Sequence, residues 1–127
     1  MLTKFYYKIF RNQFFNWDPV TGDYQIRYAN KDRLNKISQQ TFEMLEEQMG
    51  SLAGKKVLDL GGGAGNYSFQ FLKYGSEVTW TDISKNMKKI AQENFLYLDM
   101  EKSKIRFYTL NPNYLEKIEE NFDLIFL

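Results

Sequence analysis

From about Asn30 to Gln48, apolar residues recur at intervals close to three and four, the spacing of one helix face. The apolar positions of this stretch and its end are Leu34, Ile37, Phe42, Leu45 and Met49. Gly50 follows as a suitable stop, because glycine readily adopts the left-handed conformation that ends many helices. The pattern predicts a long surface helix that leads into the core.

Four short segments come after this helix, and they predict four strands. They cover residues 55–60, 77–82, 105–110 and 122–127. Each segment is apolar or rich in β-branched and aromatic residues, as buried strands usually are. Their length of about six residues is typical of strands in globular proteins.

Helical patterns separate the predicted strands. One helix is predicted over residues 66–74 and a short one over 114–120. Ser84 can cap another helix, whose apolar face is formed by Met87, Ile90, Ala91 and Phe95. Strands that alternate with helices predict an α/β fold, with right-handed crossovers, a parallel sheet and helices on both of its faces.

The first 28 residues differ in composition, since they hold nine of the 22 aromatic residues. Tyr6, Phe10 and Phe14 recur every four residues, as in an amphipathic helix that covers an apolar surface. Core packing is the simplest role for such a stripe, and a helix lying on a membrane surface is another. We expect a single domain in two parts, an aromatic-rich helical cap segment over residues 1–50 and a core over residues 51–127.

Charge and composition exclude several classes of function. Seventeen basic and sixteen acidic side chains leave a net charge of +1, so no strong field attracts nucleic acid. The absence of cysteine and histidine excludes disulfides, zinc sites of the Cys/His type and catalysis by those side chains, and we expect no metal site. No stretch approaches the roughly 18 apolar residues of a membrane span, and the N-terminus lacks the apolar region of a signal peptide. A cytoplasmic protein is the expectation that follows.

A glycine-rich loop, Asp59-Leu-Gly-Gly-Gly-Ala-Gly65, lies between the first predicted strand and the helix after it. Glycine has no Cβ and tolerates positive φ, so such a loop can bring backbone N–H groups against a ligand. A dinucleotide fingerprint that starts at Gly61 needs glycine at position 66, which is Asn66 here. The pattern Asp-x-Gly-x-Gly-x-Gly is instead met at every position. This spacing disfavours a nicotinamide-dependent dehydrogenase.

Here the chain resembles the class I S-adenosylmethionine-dependent methyltransferases, in this loop and in the segments that follow. Residues 81–91 look like the family's second strand and next helix, with an acid, an apolar residue and a capping serine in order. Residues 106–111 and 121–125 look like its third and fourth strands. The resemblance implies a partial Rossmann-like, doubly wound sheet in the strand order 3-2-1-4. It also implies S-adenosyl-L-methionine as the cofactor and a small molecule as the methyl acceptor.

The resemblance further implies a set of cofactor-binding residues. They are Asp59, Gly61, Gly62, Gly63, Gly65, Asp82, Ile83 and Asn111. The glycines would let the loop pass close to the methionine part and the ribose, and Asp59 would order the loop and accept from the cofactor's amino group. Asp82 would bind both ribose hydroxyls, and Ile83 would pack on the adenine. Asn111 stands where the family more often has an aspartate that accepts from the adenine amino group.

These residues also have a purely structural interpretation. Glycine loops close many strand-to-helix turns that bind nothing, and Asp82 can simply support the helix that starts near Ser84. In the family, N-terminal segments often fold over the cofactor, so Tyr24 or Tyr28 can reach it or can belong to the core.

The family continues beyond its fourth strand, whereas this chain ends at Leu127. We therefore expect only the N-terminal, cofactor-binding part of the fold, with no catalytic residue assigned. The apolar edge Leu124–Leu127 would then be open, and a second copy of the chain or a partner chain can pair with it. The two leading hypotheses are the N-terminal portion of a methyltransferase and a non-catalytic methyltransferase-like module that associates through this edge.

Overall fold

A computed structural model describes residues 31–97, 102–110 and 120–127, with an alternation of helices and strands. The elements are α1 (Lys31–Met49), β1 (Lys56–Leu60), α2 (Asn66–Lys73), β2 (Glu77–Asp82), α3 (Lys85–Tyr97), a 3₁₀ turn (Lys102–Lys104), β3 (Ile105–Thr109) and β4 (Leu124–Phe126). The predicted elements in these ranges are confirmed, and β4 is shorter than predicted. The aromatic helix predicted near the N-terminus lies outside the described residues, as does the helix over 114–120 except for Glu120.

The four strands form a parallel sheet in the order β3-β2-β1-β4. This order confirms the prediction of a partial Rossmann-like sheet. The chain runs outward from β1 through β2 to β3 and then returns to the other side of β1. In open parallel sheets, ligands bind beyond the carboxyl ends of the strands where the order reverses in this way. The fold therefore places the end of β1 at the position where a ligand site is expected.

One face of the sheet forms a hydrophobic core with the described helices. Register partners point to the same face, so Val57, Val78 and Ile105 share it, and Trp80 joins them two residues after Val78. They are buried in one cluster with side chains from all three helices. The helix members are Phe42, Phe69, Phe71, Leu72, Met87, Ala91 and Phe95. Burying a side chain of this size stabilises a fold by roughly 1.5–3 kcal/mol, so this layer fixes the helices to the sheet.

Two properties bear on possible partners: the pairing of β4, and the length and apolar character of the helices. Within the described ranges, β4 pairs only with β1, and Ile125 and Leu127 are exposed. None of the helices in the described part of the chain is both long enough and apolar enough to span a membrane.

Phe42 joins α1 to the core, and its loss tests how tightly the two are coupled. The centroid of its ring lies 4.6 Å from the ring centroid of Phe71 and 4.9 Å from that of Tyr74, and the side chain is fully buried. We expect Phe42→Ala to lower the free energy of unfolding by about 3–5 kcal/mol, because the truncation leaves a cavity. Met44→Ala, on the exposed side of the same helix, should change it by less than about 0.5 kcal/mol. Urea denaturation measures both, and equal losses would contradict the packing described.

Candidate cofactor site

Those predicted site residues that the structure describes lie together at the carboxyl ends of β1 and β2. Asp59 lies near the end of β1, the glycine loop follows directly, and Asp82 is the last residue of β2. Ile83 comes next and is half-buried. Asn111 lies outside the described residues.

The start of the glycine loop is hydrogen-bonded to the carbonyl oxygen of Thr81 in β2. The N–H groups of Gly61 and Gly62 both donate to the carbonyl oxygen of Thr81, each at 2.9 Å. Gly61 and Gly63 have φ of 79° and 53°, a conformation that costs other residues about 1–2 kcal/mol. At both positions an added Cβ would meet no atom of the described structure within 4 Å. Glycine is needed there for the backbone path, and the described part of the chain leaves the space beside it unfilled.

Asp82 connects the loop to α3. One carboxylate oxygen, Oδ2, accepts from the N–H of Gly63 at 3.0 Å, and the other, Oδ1, accepts from the N–H of Ser84 at 2.9 Å. Ser84 Oγ in turn accepts from the N–H of Met87 at 3.0 Å, which confirms the predicted helix cap. Asp82 therefore supports the start of α3, as its structural interpretation expects. This role does not exclude ligand binding, because each carboxylate oxygen has two lone pairs and uses one of them for a backbone N–H here.

Asp59 is a buried carboxyl group beneath the loop. Its Oδ2 atom accepts from Ser68 Oγ at 2.6 Å, and its side chain lies inside the protein. Burial raises the pKa of Asp59 from its usual 3.8 to about 6; the Ser68 hydrogen bond opposes this rise, and the nearby charge of Asp82 adds to it. The Ser68 hydrogen bond therefore offsets only part of the desolvation cost of the ionised Asp59 carboxylate.

Three further residues support the site and are not among those predicted from the sequence. Ser68 binds Asp59 as described, and Thr81 Oγ1 donates to the Asp59 carbonyl oxygen at 2.7 Å. Asn94 Nδ2 donates to the Ala64 carbonyl oxygen at 3.1 Å, which ties α3 to the loop. The position of Ser68 in the first turn of α2, after a glycine loop, was the one signal in the sequence that pointed to such a role.

The arrangement suits an organic ligand with a cationic group and hydroxyl groups. Two carboxylates flank the loop, Asp59 below it and Asp82 beside it, and no described atom fills the space next to Gly61 and Gly63. Carboxylates bind ammonium and hydroxyl donors through charge-assisted hydrogen bonds. Among the described residues, no group of three or more acidic side chains is placed to hold a metal ion. The residues therefore fit an adenosyl amino acid such as S-adenosylmethionine.

Comparison with known proteins agrees with this geometry. The fold is that of the class I S-adenosylmethionine-dependent methyltransferases. The family model "Methyltransferase domain" matches residues 57–127, so the chain belongs to the methyltransferase domain family.

Two curated relatives are named ubiquinone biosynthesis O-methyltransferase. The protein of Pasteurella multocida is 36% identical over 117 residues, which covers 86% of this chain and 45% of the relative. The protein of Bordetella pertussis is 36% identical over 76 residues, which covers 60% of this chain and 28% of the relative. The chain thus spans less than half the length of these relatives.

Solved structures share the fold. A methyltransferase of Thiobacillus denitrificans in complex with S-adenosyl-L-homocysteine has a TM-score of 0.60 at 20% identity, covering 86% of this chain and 43% of that one. Magnesium protoporphyrin IX methyltransferase of Synechocystis with bound SAH has a TM-score of 0.56 at 19% identity, covering 98% and 55%. At these identities the likeness shows the architecture.

The buried carboxyl of Asp59 predicts a specific dependence of stability on pH. Its pKa in the folded state is raised, so the folded protein holds this proton more tightly than the unfolded chain. The contribution of this group to the free energy of unfolding is present at about pH 4. It is lost as pH rises through about 6, which lowers the free energy of unfolding by up to roughly 3 kcal/mol. Asp59→Asn removes the titration and keeps an acceptor for Ser68. We expect the variant to be more stable than the unmodified protein at about pH 7 but not at about pH 4.

Urea denaturation at the two pH values measures this difference. Asp123→Asn is the matched control, because the Asp123 carboxylate also accepts a hydrogen bond, from the Lys56 N–H at 2.8 Å, but it is exposed. A difference between Asp59→Asn and the unmodified protein that is the same at both pH values would contradict the pKa assigned to Asp59.

Proposed function

We propose that the chain binds S-adenosylmethionine and forms the cofactor-binding part of a methyltransferase that acts on an oxygen atom of a small molecule. The observation that carries the proposal is the convergence of Asp59, the glycine loop and Asp82 where the strand order reverses. Membership of the methyltransferase domain family supports it. The preference for an oxygen acceptor comes from the curated relatives, which are named ubiquinone biosynthesis O-methyltransferases.

Each site residue then has a proposed role toward the cofactor. The loop from Gly61 to Gly65 lies along the methionine part and the ribose, and at Gly61 and Gly63 the described structure leaves room for close approach. Asp82 accepts from the ribose hydroxyls, Asp59 accepts from the amino group directly or through water, and Ile83 packs on the adenine. Asn111 offers its amide oxygen to the adenine amino group.

Bound S-adenosylmethionine supplies an activated methyl group, and the contribution of this chain is to hold it in a fixed orientation. Methyl transfer is an in-line displacement that depends mainly on proximity and alignment. The bonds from Thr81 to the loop and from Asp82 to the loop and α3 keep these residues in place before the ligand arrives. No described residue is assigned as a base for the acceptor.

Binding of the cofactor is the direct test. Isothermal titration calorimetry with S-adenosylmethionine and with S-adenosylhomocysteine should give a measurable heat of binding at micromolar to millimolar ligand. Circular dichroism of the same sample establishes that the protein is folded. A folded protein that binds neither ligand at millimolar concentration would rule out the proposal.

Asp82→Ala tests the ribose contact. A charge-assisted hydrogen bond contributes about 1.5–3 kcal/mol, so we expect a loss of S-adenosylhomocysteine affinity of about tenfold or more. The melting temperature should also fall, because the N–H groups of Gly63 and Ser84 lose their acceptor.

The control Asp123→Ala also removes a carboxylate that accepts from a backbone N–H, here that of Lys56 at the amino end of β1, away from the site. It should lower the melting temperature without a change in affinity, measured below both transitions. Equal loss of affinity in both variants would show that Asp82 acts only through stability.

The alternative of a non-catalytic module is not favoured, since the similar proteins are methyltransferases by name. Pairing of the β4 edge with a second copy or a partner chain stays a separate prediction, as does a cytoplasmic location. The exposed side chains of Ile125 in β4 and of Leu127 just after it are available for contact with such a partner.

A further inference from the structure

Trp80 lies directly beneath the glycine loop. It is in the middle of β2, its register partner on β1 is Asp59, and it is the largest fully buried side chain of the described residues. Its ring packs against Phe107 with centroids 5.6 Å apart. A ring so enclosed cannot swing aside without moving its neighbours, because protein cores are close-packed.

Gly62 is glycine for a different reason from Gly61 and Gly63. Its φ lies outside the left-handed range, so its backbone would accept other residues. A Cβ added at this position would stand 2.3 Å from both Cδ1 and Nε1 of Trp80 and 3.0 Å from Oδ2 of Asp59. Real Cβ atoms do not approach ring atoms so closely. The indole of Trp80 therefore occupies the space that a side chain at position 62 would need.

The polar atom of the indole supports a steric role for this side chain. Trp80 Nε1 is buried and has no hydrogen-bond partner among the residues that the structure describes. A buried N–H without a partner is unfavourable. Toward the described residues, Trp80 therefore contributes its volume and its packing and no hydrogen bond.

We propose that Trp80 is a positioning residue for the cofactor loop, and that its indole sets the height of the loop backbone above the sheet. The hydrogen bonds from the Gly61 and Gly62 N–H groups to the Thr81 carbonyl hold the loop against β2. The ring of Trp80 limits how closely the loop backbone approaches the sheet. A side chain at position 62 would lift the loop and break the bonds to Thr81. It would also weaken the contact between the Gly63 N–H and Asp82. The role in cofactor binding rests on the function proposed above.

The test is Gly62→Ala measured in two backgrounds, the unmodified chain and Trp80→Leu. With Trp80 present, we expect Gly62→Ala to reduce the affinity for S-adenosylhomocysteine by about tenfold or more, since overpacking forces the backbone to shift. In the Trp80→Leu background, where space for a methyl group exists, the same substitution should change affinity by less than about threefold. Calorimetry with S-adenosylhomocysteine provides all four values.

Gly63→Ala is the matched control in both backgrounds. Position 63 has a positive φ and open space around its added Cβ within the described structure, so its penalty comes from the backbone and not from Trp80. Its loss of affinity should be the same with Trp80 and with Leu at position 80. If Gly62→Ala also causes equal losses in the two backgrounds, the inference is overturned.

The melting temperature gives a second readout that does not depend on the ligand. Gly62→Ala should lower it by roughly 5 °C or more with Trp80 present and by much less with Leu at position 80. If the unmodified protein binds neither S-adenosylmethionine nor S-adenosylhomocysteine, the proposed function fails, while the coupling seen in the melting temperature still decides whether Trp80 excludes a side chain at position 62. If Trp80→Leu does not fold, Trp80→Val serves as the background. Valine suits a buried strand and has no atom in the place of Cδ1 or Nε1, so the penalty of Gly62→Ala should be smaller there too, and an unchanged penalty would overturn the inference.

Discussion

The candidate site depends on the carboxylate of Asp82, which holds two neighbouring segments through one side chain. Its two oxygens accept from the N–H groups of Gly63 and Ser84, so the glycine loop and the first turn of α3 are fixed relative to each other. The carbonyl of Thr81, one residue earlier, holds the beginning of the same loop. Because both attachments come from the end of β2, the pairing of β1 with β2 determines the shape of the site.

The fold was largely predictable from the sequence because its signals are local. The strand patterns, the glycine loop and the capping serine at position 84 each depend on residues close in the chain, and all are found where they were expected. The contacts of Ser68, Thr81 and Trp80 depend on the register of β1 against β2 and on helix packing. Those relations join residues distant in sequence, so spacing alone could not reveal them.

The burial of Asp59 affects both the stability of the protein without a ligand and the kind of ligand that the candidate site can attract. Burial of Asp59 raises its pKa and makes its ionised form unfavourable in the folded protein without a ligand. Ser68 compensates for part of this cost. A cationic ligand group next to Asp59 would offset the remainder, so the same burial that weakens the free protein strengthens the attraction for such a ligand.

The steric exclusion between Gly62 and Trp80 has an evolutionary consequence. A side chain at position 62 and a large ring at position 80 cannot coexist at the distances found here. Related sequences are therefore expected to change the two positions together: lineages that acquire a side chain at 62 should carry a small residue at 80. A position in the loop after β1 and a position in the middle of β2 are thus expected to covary, with glycine required at 62 as long as tryptophan is present at 80.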